Sequence, residues 1–350
     1  MTDATPPHKR RVRYSGTHPR QFEEKYKELD PVRHAGEIAK VMQRGQTPAG
    51  MHRSICVDEI LGILAPQPGE TGLDVTLGFG GHTQTLIPGV LPGGRMFGMD
   101  VDPIELPRTT ARLRALGYGE DVLSTHRANF SQLTTLLPLA GGGFDFVLAD
   151  LGVSSMQIDN PARGFSFRAE GPLDLRLDPS AGQSASELLQ TVTRQRLRDL
   201  LTDNADEPFA QQLAAALQGQ YVETTFQLVE LVRAAMELAL KKTMPQEERL
   251  VEIKKALQRT FQALRIEVND EFGVLDTLLA ALPQCLKPGG RVAILSFHSG
   301  EDRRVKKAFQ TGERNGTYAR VAPDLIRASF AERRDNPRST SAKLRWAMMA

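Results

Sequence analysis

Leu73-Asp-Val-Thr-Leu-Gly-Phe-Gly-Gly-His82 decides the reading of this chain. A β-rich run enters a glycine cluster at Gly78, Gly80 and Gly81, which empties into a helical-looking segment. A second strand-like run, Arg95-Met-Phe-Gly-Met99, then ends in Asp100. Strand, glycine turn, helix, strand, acid is how a Rossmann-type half holds a nucleoside: glycines admit backbone close to the ligand, and the acid takes ribose hydroxyls. The spacing is not that of a dinucleotide site, because Thr83 stands where G-x-G-x-x-G needs its third glycine. No Lys-Ser or Lys-Thr follows, which excludes a P-loop. A nucleoside without a pyrophosphate is left, and S-adenosylmethionine is the commonest such ligand.

Outward from that stretch, strand and helix patterns alternate. A helix over 57–64 is stopped by Pro66 and Pro68; strands are predicted at 72–78, 95–100, 122–127 and 144–149, with helices over 82–91 and 103–116. Repeated β–α units imply a parallel sheet with right-handed crossovers. The pattern breaks at Gln157. Residues 157–178 read as loop, and 184–258 as amphipathic helices starting at an N-cap in Ser184-Ala-Ser-Glu187. The α/β texture resumes with a helix over 272–286, an apolar strand ending at His298, and an alternating segment at 342–347 suited to a last strand. The expected organisation is a polar, basic N-terminal extension (1–48), a core of 49–156 and 259–350, and an inserted helical substrate domain at 157–258.

With 40% hydrophobic and 25% charged residues the chain has the composition of a soluble globular protein, and a net charge of +2 rules out a polycation. A nucleic-acid surface must therefore come from clustering of charge, as in Arg303, Arg304, Lys306 and Lys307, then Arg333, Arg334, Arg338, Lys343 and Arg345. Cys56 and Cys285 are too few for a disulfide framework or a cysteine zinc site, and no other ligand spacing stands out, so no metal is expected. No apolar run reaches the roughly 20 residues that span a bilayer. Neither a membrane span nor a secretory signal is expected, and the cytoplasm is the default.

Ligands of open α/β sheets bind beyond the carboxyl ends of the strands. Four strand ends supply residues suited to one nucleoside. The Gly80 and Gly81 N–H groups at a helix start suit a carboxylate. Asp100 suits the ribose diol and Phe130 the adenine, and Asp150 opens the loop after the fourth strand. In amino-methyltransferases that loop carries an Asp/Asn-Pro-Pro-aromatic motif that lines up an exocyclic amine; here the prolines and the aromatic are absent. His82 is read as bracing the turn, and His298 as a structural histidine.

Several strings together resemble one family, the ribosomal RNA small subunit methyltransferase H family (RsmH, also called MraW). They are Thr76-Leu-Gly-Phe-Gly-Gly-His82; Asp150-Leu-Gly-Val-Ser-Ser155 with Gln157; Arg163-Gly-Phe-Ser-Phe167; Gly171-Pro-Leu-Asp-Leu-Arg-Leu-Asp178; Arg259-Thr-Phe-Gln-Ala-Leu-Arg265; Ser296-Phe-His-Ser-Gly-Glu-Asp-Arg303; and Asn336-Pro-Arg-x-x-Ser-Ala-Lys-Leu-Arg345. Met156 and Gly300 depart from the family pattern, which usually has Pro and often has Leu there. The resemblance implies a class I, Rossmann-like methyltransferase with a seven-stranded, mostly parallel sheet. It implies S-adenosylmethionine as cofactor, S-adenosylhomocysteine as product, and methylation of a cytidine N4 amine in 16S ribosomal RNA of the small subunit, with neither DNA nor membrane as partner. Its cofactor positions fall on Gly80, Gly81, His82, Asp100, Phe130, Asp150 and Gln157, and Asp150 is the candidate for aligning the amine. A homodimer is left open, as are a different RNA base or protein acceptor and a non-catalytic RNA-binding or ribosome assembly factor.

Overall fold

Four crossovers build the first half of the sheet. In this computed structural model residues 54–241 and 243–350 are described; the N-terminal extension lies outside them. Helix α1 (Val57–Leu64) leads to β1 (Thr71–Asp74), α2 (Gly81–Val90), β2 (Arg95–Asp100), α3 (Glu105–Ala115) and β3 (Leu123–Arg127). A 3-10 turn (Phe130–Leu136) precedes β4 (Phe144–Asp150) and the short helix α4 (Ser155–Asp159). Helices α5 (Ala185–Thr191), α6 (Arg194–Ala205), α7 (Ala210–Leu217), α8 (Thr225–Ala239) and α9 (Gln246–Val268) follow without a strand. Helix α10 (Glu271–Cys285), β5 (Leu286–Ser296), α11 (Ser299–Arg314), β6 (Tyr318–Val321), α12 (Phe330–Asp335) and β7 (Lys343–Met349) complete the chain.

The seven strands form one sheet in the order β3-β2-β1-β4-β5-β7-β6. Every pair from β3 to β5 is parallel, and β7 runs antiparallel to both β5 and β6. The fold is the expected Rossmann-like methyltransferase core. Its central strands are buried on both faces because successive side chains alternate between two cores. Phe97, Val147 and Ile294 pack with α10 residues such as Leu278 on one side. Met96, Phe146, Leu148 and Ala293 pack with Leu86 of α2 and Ile60 of α1 on the other.

Strand β1 stops at Asp74, short of the expected residue 78. The cause is local: the Asp74 carboxylate accepts the Thr76 N–H at 3.1 Å and bends the chain into a turn, although Val75 and Leu77 still donate to Leu148 O and Met99 O of the neighbouring strands. The strand at 318–321, which the alternation did not single out, pairs with β7. A third core gathers Leu188, Leu200, Leu213, Leu228, Val232 and Leu257 from α5 to α9, together with Phe165, Leu173 and Leu175 of the preceding loop. Helices α5 and α8 both begin with reciprocal capping boxes, Ser184 with Glu187 and Thr224 with Gln227. Helix α9 runs unbroken through residue 258, so the helical run passes into the core without a loop at that point.

Candidate active site

The glycine turn is set by a buried acid. Asp74 is 2% exposed, and it accepts from Thr76 and, at 2.8 Å, from the Thr83 hydroxyl in the first turn of α2. Gly78 and Gly80 both have positive φ, 49° and 75°, a region that L-residues avoid. The Gly80 N–H donates to Leu77 O at 2.5 Å, so its part in the turn is conformational. The amides that α2 leaves without an intrahelical acceptor are those of its first turn, Gly81, His82 and Thr83. They point an N-terminal dipole out of the turn, which suits a carboxylate. Arg112 lies over the Phe79 ring at 4.0 Å and donates to Phe79 O, and Thr109 donates to Gly78 O at 2.6 Å, so α3 clamps the turn from behind.

Asp100 ends β2 beside that turn. Its Oδ2 accepts the Gly78 N–H at 2.7 Å and its Oδ1 the Asp102 N–H at 2.9 Å. Burial pushes the carboxyl up to about 6; the two N–H groups oppose this, and the nearby Asp102 and Asp74 carboxylates add to it. Phe130 starts the 3-10 turn after β3, half-buried against the sheet core.

Asp150 ends β4. Its N–H donates to the Thr76 hydroxyl at 2.6 Å, and its Oδ2 lies 3.5 Å from His82 Nε2. Among the described residues its Oδ1 is a buried acceptor without a donor. His82 is 6% exposed. Burial acts to lower its imidazole, but the adjacent Asp150 carboxylate, with the charges of Asp74 and Glu332, raises it overall. The site thus sets a buried His82 against a half-buried Asp150, with one carboxylate oxygen left for a donor.

Gln157 faces away from that oxygen. Its Oε1 accepts the Ser154 N–H at 2.8 Å, and its Nε2 donates to Asp102 Oδ2 at 2.8 Å. The sequence reading missed Asp102, which is 1% exposed. Its Oδ1 accepts the N–H groups of Ile104 and Glu105 at the start of α3, and its Oδ2 also takes Arg163 Nη1 at 2.7 Å. An Asp ahead of Pro103 is a legible cap, whereas its second oxygen reaches a partner 61 residues on. Asp74 was missed too, and an acid inside an apolar strand run is the signal that could have found it.

His298 follows β5 on the same rim. Its Nε2 is 3.3 Å from Glu301, which also accepts the Phe297 N–H at 2.8 Å. Burial acts to raise the Glu301 carboxyl, but His298, the Phe297 N–H and Arg265 hold it below the usual range. Glu271, His298 and Glu301 bring ligand atoms within 4.8 Å of one another, but Arg265 grips both Glu271 oxygens at 2.7 and 2.9 Å. Gly300 has its reason here: a Cβ would lie 2.5 Å from the Phe272 ring, which fills the space that a side chain would take. One expectation is corrected. Arg345 is not open to phosphates, being 9% exposed and paired with Asp302 at 2.6 Å.

Residues 49–350 match the MraW methylase family. This chain belongs to that family. Relatives named ribosomal RNA small subunit methyltransferase H match most of its length. One from Alkaliphilus metalliredigens is 54% identical over 97% of both chains. Another from Lachnoclostridium phytofermentans is 51% identical over 99% of this chain and 94% of its own. A third, from a Synechococcus strain, is 41% identical over 89% of this chain and 96% of its own. The protein is an enzyme, a methyltransferase. Among its described residues no helix is long and apolar enough to cross a membrane.

Proposed function

We propose that this protein methylates the N4 amine of a cytidine in 16S ribosomal RNA, with S-adenosylmethionine as donor, in the cytoplasm. The names of the relatives support the ribosomal RNA substrate, and the family resemblance supports the N4 position. The observation that carries the reading is the buried Asp150 Oδ1, an acceptor without a donor at the strand end beside the glycine turn. An exocyclic amine has two N–H groups and can satisfy it.

The residues present fit the cofactor. The first-turn amides of α2 at Gly81 and His82 would hold its carboxylate, Asp100 its ribose diol and Phe130 its adenine. When bound, S-adenosylmethionine supplies a methyl group made electrophilic by the sulfonium. The amine is a poor nucleophile because its lone pair is conjugated into the ring, so alignment matters more than activation. Asp150 Oδ1 would accept a hydrogen bond from one N4–H and turn the lone pair towards the methyl, and it would receive that proton as the N–C bond forms and S-adenosylhomocysteine leaves. His82, raised by the acids around it, lies behind Asp150 at 3.5 Å from Oδ2, which leaves Oδ1 for the amine. Gln157 ties the loop after Asp150, through Ser154, to Asp102. The helical run at 157–258 supplies the RNA-recognition surface on this reading.

Replacing Asp150 by Asn tests the assignment. Turnover on small-subunit particles should fall about 100-fold or more, while calorimetry shows S-adenosylmethionine affinity little changed. Full turnover in the variant would remove Asp150 from the reaction. Nucleoside mass spectrometry of the wild-type product decides the acceptor: any product other than N4-methylcytidine overturns the substrate assigned here.

A further inference from the structure

One buried carboxylate lies between the proposed ribose site and the substrate loop. From the glycine turn, Gly78 donates to Asp100, and Asp102 donates its N–H to the same carboxylate. The Asp102 side chain then takes Gln157 at the start of the loop and Arg163 further along it, both on Oδ2. Arg163 is 5% exposed, and its second nitrogen donates to Arg176 O at 3.1 Å and Leu177 O at 2.9 Å. Asn269 closes the far end by accepting the Leu177 N–H and donating to Leu175 O. Leu175, 1% exposed, is held at φ 64°, in the left-handed region that a leucine leaves unless its surroundings hold it there.

We infer that Asp102 is a positioning residue that couples occupancy of the ribose site to the shape of the substrate loop 157–178, so that cofactor and RNA strengthen each other's binding. The inference rests on the cofactor reading above, which places a ribose diol on Asp100. A diol bound there fixes the Asp100 rotamer and with it the Asp102 N–H. The Asp102 carboxylate then has one orientation in which it meets Gln157 and Arg163 together. These are charge-assisted bonds in a dry interior, so losing the geometry at one end is costly at the other. Asp102 touches neither ligand. Linkage requires the effect to be reciprocal.

The test measures binding of small-subunit particles with and without S-adenosylhomocysteine, together with hydrogen exchange across 157–178. In the wild type the nucleoside should tighten particle binding about 5-fold or more and slow exchange across the loop. Asp102→Asn keeps the volume but turns a donor towards Gln157 and Arg163. It should bind S-adenosylhomocysteine within about threefold of wild type, with the coupling factor reduced to about 1. Arg163→Lys keeps the buried charge but cannot also hold both carbonyls. It should lose most of the coupling, and it carries the test if Asp102→Asn does not fold. Undiminished coupling in the folded variants, or a wild type that binds the nucleoside without coupling, overturns the inference and leaves the cofactor reading standing. A wild type that binds no S-adenosylhomocysteine overturns the cofactor reading instead.

Discussion

Asp100 receives two backbone N–H groups and still has its carboxyl pushed up to about 6 by burial and by the acids around it. A ribose diol donates to the ionised form, so the proposed complex needs Asp100 deprotonated. The sign follows. Above pH 6 the free protein already carries the carboxylate, and affinity should be flat with respect to this group. Below pH 6 a proton must leave before the diol binds, and the dissociation constant for S-adenosylhomocysteine should rise by up to about tenfold per pH unit. Calorimetry between pH 5 and pH 8 measures this, with Asp100→Asn as the reference. That variant should bind weakly at every pH and show no bend near 6. A wild type whose affinity is level down to pH 5 would detach Asp100 from the ribose. His82, which its acidic neighbours raise, contacts Asp150 and not Asp100, so the Asp100→Asn reference separates its titration from that of Asp100.

The loop elements depend on glycines for steric reasons that differ from those of the cofactor turn. Gly171 has no unusual φ, yet a Cβ on it would lie 1.8 Å from Pro161 O. Its O accepts the Thr225 N–H at 2.9 Å and its N–H reaches the Thr225 hydroxyl, which pins the 3-10 turn at Pro161–Arg163 to the start of α8. Gly171→Ala should therefore cost about 1–3 kcal/mol in a urea titration, since backbone rather than a flexible side chain must move. Gly62→Ala in α1, where nothing lies within 4 Å, should be neutral or stabilising by up to about 1 kcal/mol. Equal effects at the two positions would show that the loop is not packed as described. Such close approaches were out of reach of a sequence reading, while strand β2, the helix at 57–64 and the Ser184 cap were legible because each is encoded within a few neighbouring residues. The end of β1 was not, since a side-chain bond from Asp74 overrides an apolar run. The site divides in the same way. Gly80, Asp100 and Asp150 were visible as strand-end chemistry, whereas Asp102 acquires its partners only when residues 55 and 61 positions away fold back onto it.

Across the whole molecule a small net charge conceals a sorting of cations by partner. Arg304 pairs with Asp276 at 2.7 Å, Arg303 lies 3.8 Å from Asp206, Arg338 is bound to Asp159 at 2.9 Å, and Arg345 is buried against Asp302. Of these four, the Arg345–Asp302 tie between β7 and α11 is the buried one, so its loss is first a structural event, whereas the other three are surface pairs that contribute little to the fold. Lys306 and Lys307 on α11 differ: both are exposed, and among the described residues neither has an ion-pair partner. Phosphate binding releases counterions in proportion to the cations that take part, so these two lysines can be counted by salt dependence. On the proposed RNA reading, Lys306→Glu and Lys307→Glu together should weaken binding to small-subunit particles at low salt. They should also lower the slope of log affinity against log salt by about 0.9 for each phosphate that is no longer neutralised. The melting temperature should not move, because exposed charges without partners contribute little to the fold. Arg345→Glu should do the reverse, lowering stability by leaving Asp302 facing a like charge, with the salt slope of the remaining folded protein unchanged. If the lysine pair leaves both affinity and slope untouched, the RNA path does not cross this face of α11, and the phosphate-binding cations must be sought on the helical run instead.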